Sequence, residues 1–111
     1  MTDELNHPTA DFDDAVHQPT RLAILVVLHE AGRADFTYLK RTPGLTDGNL
    51  GRHLATLEDN RLVELSKGFE GRRPRTWITL TAAGSQALRD EVVQLKRLIR
   101  DIEQGDGVSA G

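Results

Sequence analysis

Apolar residues in the first third of the chain recur at the three- and four-residue spacing of an amphipathic helix. A helix is predicted from Pro19, because the missing N–H of proline needs no partner at the first helical position. It is predicted to end at about Ala31, since Gly32 is a typical C-terminal stop. A shorter helix over residues 11–17 precedes it. The apolar face of the longer helix is wide enough to predict a buried central helix: Leu22, Leu25, Val26 and His29 form one stripe, which Ile24, Val27 and Leu28 widen.

Two further helices are predicted before residue 61. Asp35 is suited to cap the second, which ends where Thr42-Pro43-Gly44 blocks the helical conformation. Thr46 is suited to cap the third, which runs to about Asn60. Its leucines lie at the i, i+4, i+7 spacing that predicts a single buried stripe, and they are Leu50, Leu54 and Leu57.

Residues 61–80 alternate between apolar and polar positions, which predicts two half-buried strands. Gly71 and Pro74 predict the turn between these strands, so that the segment forms a hairpin. The apolar positions are Val63, Leu65 and Phe69 on the first strand and Ile78 and Leu80 on the second.

A last helix is predicted from Thr81, which is suited to cap it. Its apolar positions step by 4, 3, 4 and 3 residues, which is a heptad seam over two repeats. These positions are Leu88, Val92, Leu95, Ile99 and Ile102. The seam could pack on its own domain or on a second copy of the chain. Dimerisation is favoured, and the acidic N-terminal helix would join it.

The size of the chain, 111 residues, predicts one domain. We place it at residues 11–104, between a flexible acidic segment (residues 1–10) and a flexible tail (residues 105–111). No apolar run reaches the roughly 18 residues that cross a membrane. The absence of cysteine excludes disulfides and thiolate metal sites and favours a cytoplasmic protein.

The net charge of −3 argues at first against a nucleic-acid partner, but the charges are unevenly distributed. Residues 1–20 carry five acidic residues and no lysine or arginine. Residues 61–80 carry five basic and two acidic residues, a net charge of +3. Attraction to phosphate depends on the local face within a Debye length of about 10 Å, so the hairpin is a candidate for DNA contact.

Four segments in this order resemble the MarR/ArsR-like winged-helix transcriptional regulators, in particular their short single-domain group. They are residues 19–25 (PTRLAIL), 45–54 (LTDGNLGRHL), 71–76 (GRRPRT) and 80–84 (LTAAG). The resemblance spans roughly residues 17–103. It implies an α+β, mostly helical fold: a winged helix-turn-helix with a two-stranded wing and a long C-terminal dimerisation helix. It also implies a homodimer that binds double-stranded DNA at a pseudo-palindromic operator and most often represses transcription.

Residues 46–60 are the candidate recognition helix, whose first turns would enter the major groove. Arg52 is suited to a guanine edge or a phosphate, and Asn49 to an adenine edge. Thr46 and the free N–H groups beside it suit a phosphate. The full DNA-binding set on this helix is Thr46, Gly48, Asn49, Arg52, His53 and Thr56.

Three residues of this helix allow a second interpretation. Gly48 and Gly51 each cost about 1 kcal/mol relative to alanine in a helix. Close approach to DNA or close packing against the second helix would explain them, and packing is favoured for Gly51. Asp47 either stabilises the helix N-terminus or accepts a hydrogen bond from cytosine.

Residues 70–76 are the candidate wing. Arg72, Arg73 and Arg75 surround Pro74 and suit the minor groove or the DNA backbone, and the alternative is a solvated turn. Trp77 is expected to pack beside the wing against a helix rather than to stack on a ligand.

No catalytic chemistry is predicted, because the sequence has no phosphate loop, no cysteine nucleophile and no Ser/His/Asp arrangement. No cofactor and no metal are predicted, since the four histidines lack neighbours at ligand spacing. The disfavoured alternative is a metal site in which His17 and His29 approach Asp13 or Asp14 across a dimer. A small-molecule effector stays unknown. The alternative function is a winged-helix protein-interaction module that does not bind DNA.

Overall fold

The computed structural model describes residues 13–109, with side chains as far as residue 105. This part of the chain contains four helices and a three-stranded antiparallel sheet, so the α+β, mostly helical class is confirmed. The elements are α1 Pro19–Ala31, β1 Arg33–Asp35, α2 Phe36–Leu39, α3 Asp47–Asp59, β2 Val63–Glu70, β3 Arg73–Leu80 and α4 Ala82–Ser109.

The segment before α1 is a turn where a helix was predicted. The Asp13 carboxylate accepts a hydrogen bond from the backbone N–H of Ala15 at 2.9 Å, and the Asp13 carbonyl accepts from Val16 and His17. Such a local side-chain bond offers the backbone an alternative to the helix. The prediction over residues 13–17 was therefore wrong, and residues 11 and 12 lie outside the described part.

Helix α1 has the predicted bounds, but its buried face differs from the prediction. Ile24, Leu25 and Leu28 are fully buried, whereas Val26 is 38% exposed and His29 is exposed. A helix that is apolar over most of its circumference leaves its orientation open until its neighbours are known. Here the core covers one side, and Val26 faces a shallow apolar groove against α4.

The third strand, β1, was not predicted. It pairs with β3 from Arg33↔Thr79 to Asp35↔Trp77, so that β3 is the central strand of the order β1-β3-β2. Three residues are too short for an alternation of apolar and polar positions to indicate a strand. Its position brings the start of α2 against the base of the wing.

The wing is longer and its turn tighter than predicted. Strands β2 and β3 pair as far as Glu70↔Arg73, which leaves Gly71 and Arg72 as a two-residue turn. Gly71 has a φ of 63°, the conformation that type II′ hairpins require at this position. Pro74 lies within β3, opposite Phe69, and not in the turn. Proline is tolerated there because β1 ends before reaching it, so one side of β3 has no neighbouring strand.

Helix α4 begins where predicted. The Thr81 hydroxyl accepts from the N–H of Gly84 at 2.8 Å and donates to the carbonyl of Arg61 at 2.7 Å. These bonds fix the first turn of α4 to the loop between α3 and β2. The helix continues to Ser109, past the domain boundary predicted at residue 104, and residues 110–111 lie outside the described part.

The core lies between α1, α3, the sheet and the first turns of α4. Its buried hydrophobic side chains are all aliphatic, and Phe36 packs against them. Phe69, one of the apolar positions predicted on the first strand of the hairpin, is instead 74% exposed. The fully buried side chains are Val16, Ile24, Leu25, Leu28, Leu39, Leu50, Leu57 and Ile78, with Leu54 and Val63 at 2% exposure.

Candidate nucleic-acid interface

Helix α3 begins with a capping box that uses two of the predicted DNA-binding residues. The Thr46 hydroxyl accepts from the N–H of Asn49 at 3.2 Å, and the Asn49 side-chain oxygen accepts from the N–H of Thr46 at 2.6 Å. The Asn49 amide nitrogen also donates to the Gly44 carbonyl at 2.9 Å. The Asn49 amide is therefore engaged within the protein, and contact with an adenine would require these bonds to break.

The outer face of α3 is open around its two glycines. A Cβ at Gly48 or at Gly51 would meet no atom within 4 Å outside the adjoining helix backbone. Packing against α2 therefore does not explain either glycine, and that interpretation was wrong. Arg52, which follows Gly51 directly, is also exposed. Asp47, in the first turn, is exposed and pairs with Lys40 at 3.1 Å.

His53 lies at the margin of this face and contacts α1. The Nη1 of Arg21 is 3.3 Å from the His53 Nδ1, and Arg21 also donates to the carbonyls of Ala15 and Asp14. Burial lowers the pKa of His53 below its usual value, and the positive charges of Arg21 and Arg52 lower it further. Because a guanidinium can only donate, Nδ1 accepts and the ring is neutral in this arrangement. His53 is thus a weaker phosphate ligand than a charged histidine would be.

Thr56 is half-buried, and its hydroxyl donates to the Arg52 carbonyl at 3.2 Å, one turn earlier. The hydroxyl retains lone pairs that can accept, but its proton is used within the helix. Of the six DNA-binding residues predicted on α3, only Gly48 and Arg52 are therefore exposed and not hydrogen-bonded through a side chain to another described residue. Gly51 lies beside them.

The three arginines of the wing are in two different situations. Arg72 and Arg73 are exposed at the tip, and neither forms an ion pair with a side chain of residues 13–105. Arg75 lies further down β3, with its side chain 28% exposed, and it forms ion pairs with Asp35 and Glu70. The structure thus brings Arg72 and Arg73 together at the tip and holds Arg75 against the protein.

Trp77 contacts a cation on the neighbouring strand β1. The guanidinium carbon of Arg33 lies 4.1 Å from the centroid of the indole ring, a cation–π distance, and the ring is half-buried. Packing of Trp77 against a helix stays a prediction.

The predicted dimerisation seam on α4 is divided between core and solvent. Leu88 is 6% exposed and packs into the core, and Leu95 is half-buried. Val92, Ile99 and Ile102 are 41, 56 and 55% exposed. Val92, Ile99 and Ile102 therefore form an apolar stripe that the described residues of the chain leave exposed.

The winged helix DNA-binding domain family matches residues 20–99. The chain belongs to this family. It is 36% identical, over 83 residues, to an uncharacterized protein of Methanocaldococcus jannaschii, a stretch that covers 75% of this chain and 90% of that protein. The structure of a transcriptional regulator homologue from Pyrococcus horikoshii OT3 superimposes with a TM-score of 0.77 at 30% identity, covering 90% of this chain and 97% of the other.

A MarR-family transcriptional regulator from Enterococcus faecalis V583 shares the fold, with a TM-score of 0.67 at 23% identity over 96% of this chain and 91% of that one. The predicted winged-helix fold is confirmed. The likeness to the MarR-family protein is one of fold, and the ArsR-like part stays a prediction. The winged-helix protein is a DNA-binding transcriptional regulator and not an enzyme.

The described residues contain neither a membrane-spanning helix nor a cluster of metal ligands. None of their helices is long and apolar enough to cross a membrane. Among the side chains of residues 13–105, no three histidines, aspartates or glutamates come together as metal ligands would. His17 instead contacts Glu91 of α4, with 2.7 Å between Nδ1 and Oε2, and this contact ties the turn before α1 to α4.

Proposed function

We propose that the winged-helix protein is a homodimeric, sequence-specific repressor of transcription that acts in the cytoplasm. Helix α3 would lie in the major groove, and the wing tip would contact the minor groove or the backbone. The observation that carries this proposal is the exposure of Arg72 and Arg73 on a tight turn, on the same domain as the open face of α3.

The proposed contact residues are fewer than the sequence suggested. Arg52, Arg72 and Arg73 would contact DNA directly, and His53 and Thr56 would lie at the edge of the interface. Thr46 and Asn49 would shape the start of α3 through the capping box, in which both are engaged. A phosphate at this end of α3 would bind to backbone N–H groups.

Replacement of Gly48 or Gly51 by alanine is expected to raise the stability of the domain and to weaken its binding to the operator. Each added methyl group meets open space, so the better helix propensity of alanine should raise the free energy of unfolding by about 0.5–1 kcal/mol. If α3 approaches the DNA closely at these positions, the same methyl group should weaken operator binding about 3- to 10-fold. Denaturant unfolding and fluorescence anisotropy with a labelled operator measure the two effects.

Ala55→Gly provides the control for this pair, because it changes the same helix in the opposite direction without adding volume. It should lower the free energy of unfolding by a similar amount, and it adds no atom that could keep DNA away from α3. If Gly48→Ala and Gly51→Ala both bind DNA as tightly as the wild type, α3 does not approach DNA through its glycines.

The dimer is supported by the exposed stripe on α4. Isoleucine burial is worth about 1.5–3 kcal/mol, so a partner that covers Ile99 and Ile102 would stabilise association strongly. A second copy of the chain would supply the same stripe in a symmetric contact, as C2 dimers do. Two recognition helices would then lie about 34 Å apart, one turn of duplex DNA.

Ile99→Glu is expected to raise the dissociation constant of the dimer about 10-fold or more, because it places a carboxylate in the proposed apolar contact. Analytical ultracentrifugation over a range of concentrations measures this change. Arg100→Glu, one residue away and outside the seam, is the control and should dissociate much less. A monomeric wild type, or equal effects of the two variants, would contradict the α4 interface.

A further inference from the structure

Asp35, the last residue of β1, is buried at 8% exposure, and both of its carboxylate oxygens accept hydrogen bonds. Oδ1 accepts from the backbone N–H of Tyr38 at 2.7 Å, which caps the single turn of α2. Oδ2 accepts from Nη1 of Arg75 on β3. One side chain therefore joins the helix-turn-helix to the wing.

Arg75 extends this connection to the other strand of the wing. Its second terminal nitrogen, Nη2, lies 3.2 Å from Oε1 of Glu70 at the end of β2. The two carboxylates differ in surroundings, since the side chain of Asp35 is 11% exposed and that of Glu70 is 62% exposed. A partly buried ion pair is screened less by solvent than an exposed one, so the Asp35 contact should dominate.

The position of the network determines what it can control. The hairpin is attached to the domain at its base, where β1 pairs with residues 77–79 of β3. Beyond Trp77 towards the tip, no strand flanks β3 on the β1 side. The Asp35–Arg75 contact lies in this unflanked region, between the last strand pairing and the exposed Arg72 and Arg73.

We propose that Asp35 and Arg75 are positioning residues that hold the wing at a fixed angle to the helix-turn-helix, and that Arg75 does not itself contact DNA. This inference rests on the proposed function, because the angle matters only if the tip and α3 bind the same duplex. A tip that is fixed before binding loses less conformational freedom when it enters the groove.

Asp35→Asn distinguishes a positioning role of the ion pair from direct DNA contact by Arg75, because the two roles predict opposite changes in operator affinity. Asparagine caps helices as well as aspartate does, so α2 keeps its cap while the ion pair with Arg75 is lost. If Asp35 positions the wing, the variant should bind the operator about 10-fold more weakly, although a negative charge has been removed. If Asp35 only masks a DNA-contacting Arg75, the variant should bind more tightly, and the proposal is overturned.

Glu70→Gln is the matched control, since it removes the same charge from the other partner of Arg75. It should change affinity less than 3-fold, because Glu70 is exposed and the Asp35 contact remains. An equal loss in Glu70→Gln and Asp35→Asn would mean that Asp35 has no special role.

Arg75→Met and the double variant Asp35→Asn/Arg75→Met complete the test. Arg75→Met should weaken binding about 10-fold without changing the slope of log K against log salt, whereas loss of a phosphate contact would lower that slope by about 0.9. The double variant leaves only the exposed carboxylate of Glu70 without its partner and no buried charge unpaired, so it guards against failure to fold. It should bind about as weakly as either single variant, because both remove the same contact. Losses that multiply in the double variant would overturn the proposal.

Amide hydrogen exchange in the absence of DNA tests the same inference independently of the proposed function. Asp35→Asn should accelerate exchange across residues 68–76, and Glu70→Gln should do so much less. Unchanged exchange in Asp35→Asn would overturn the positioning role. If the wild type bound no DNA but this difference were found, the proposed function would fail while the connection between wing and helix-turn-helix would stand.

Discussion

Replacement of both Arg72 and Arg73 by alanine is expected to weaken operator binding about 100-fold at low salt. Hydrogen bonds to charged groups contribute about 1.5–3 kcal/mol, and each 1.4 kcal/mol is a factor of ten in affinity. Both side chains are exposed at the turn of the wing, where no described carboxylate pairs with them, so they need not break an ion pair to reach DNA. Anisotropy titrations over a range of salt concentrations measure the loss.

The salt dependence carries the more specific part of this prediction. Each lost phosphate contact should lower the slope of log K against log salt by about 0.9, so the double variant should lose up to about 1.8. Arg97→Ala/Arg100→Ala is the matched control: it removes two exposed arginines from α4, at positions outside the heptad seam. Equal effects of the two double variants would mean that net charge, rather than the wing tip, sets the affinity.

Gly84→Ala is expected to destabilise the domain by about 3 kcal/mol or more. A Cβ at this position would lie 2.0 Å from the carbonyl oxygen and 2.9 Å from the carbonyl carbon of Leu62. Both atoms belong to the backbone and cannot move aside as a flexible side chain would. Because Thr81 also bonds to this loop, α4 would have to shift as a unit, and overpacking of this kind costs about 1–3 kcal/mol or more.

Denaturant unfolding measures this loss as a lower midpoint. Gly48→Ala is the control, because the same substitution in α3 meets open space and should shift the midpoint upward. A Gly84→Ala variant as stable as the wild type would mean that the contact between α4 and Leu62 is looser than the structure shows.

The helices could be predicted because their signals are local. Pro19 begins α1 because its missing N–H needs no partner there, and Thr46 and Thr81 cap α3 and α4 through bonds to residues three positions away. The structure confirms all three. The leucine stripe of α3 is likewise a property of one helix. The order of helices and hairpin therefore followed from the sequence.

The functional differences between neighbouring side chains could not be predicted, because they depend on distant partners. Arg73 and Arg75 have the same chemistry and lie two residues apart. Only the contact of Arg75 with Asp35, 40 positions away in the sequence, separates a positioning residue from a contact residue. The same holds for Trp77, which packs on Arg33 because of a strand that carries no pattern of its own. The capping by Asp35 was visible in the sequence, but its second oxygen was not.

The central claim, that a dimer reads DNA through α3 and the wing tip, is tested most directly by equilibrium binding to the DNA upstream of the protein's own gene. The measurement runs beside a shuffled duplex, over 50–300 mM salt, and determines the number of chains bound per site. Preference for the native duplex, a steep salt slope and two chains per site are the expected results. Absence of binding to either duplex at low salt would contradict the claim and favour a winged helix that serves as a protein-interaction module.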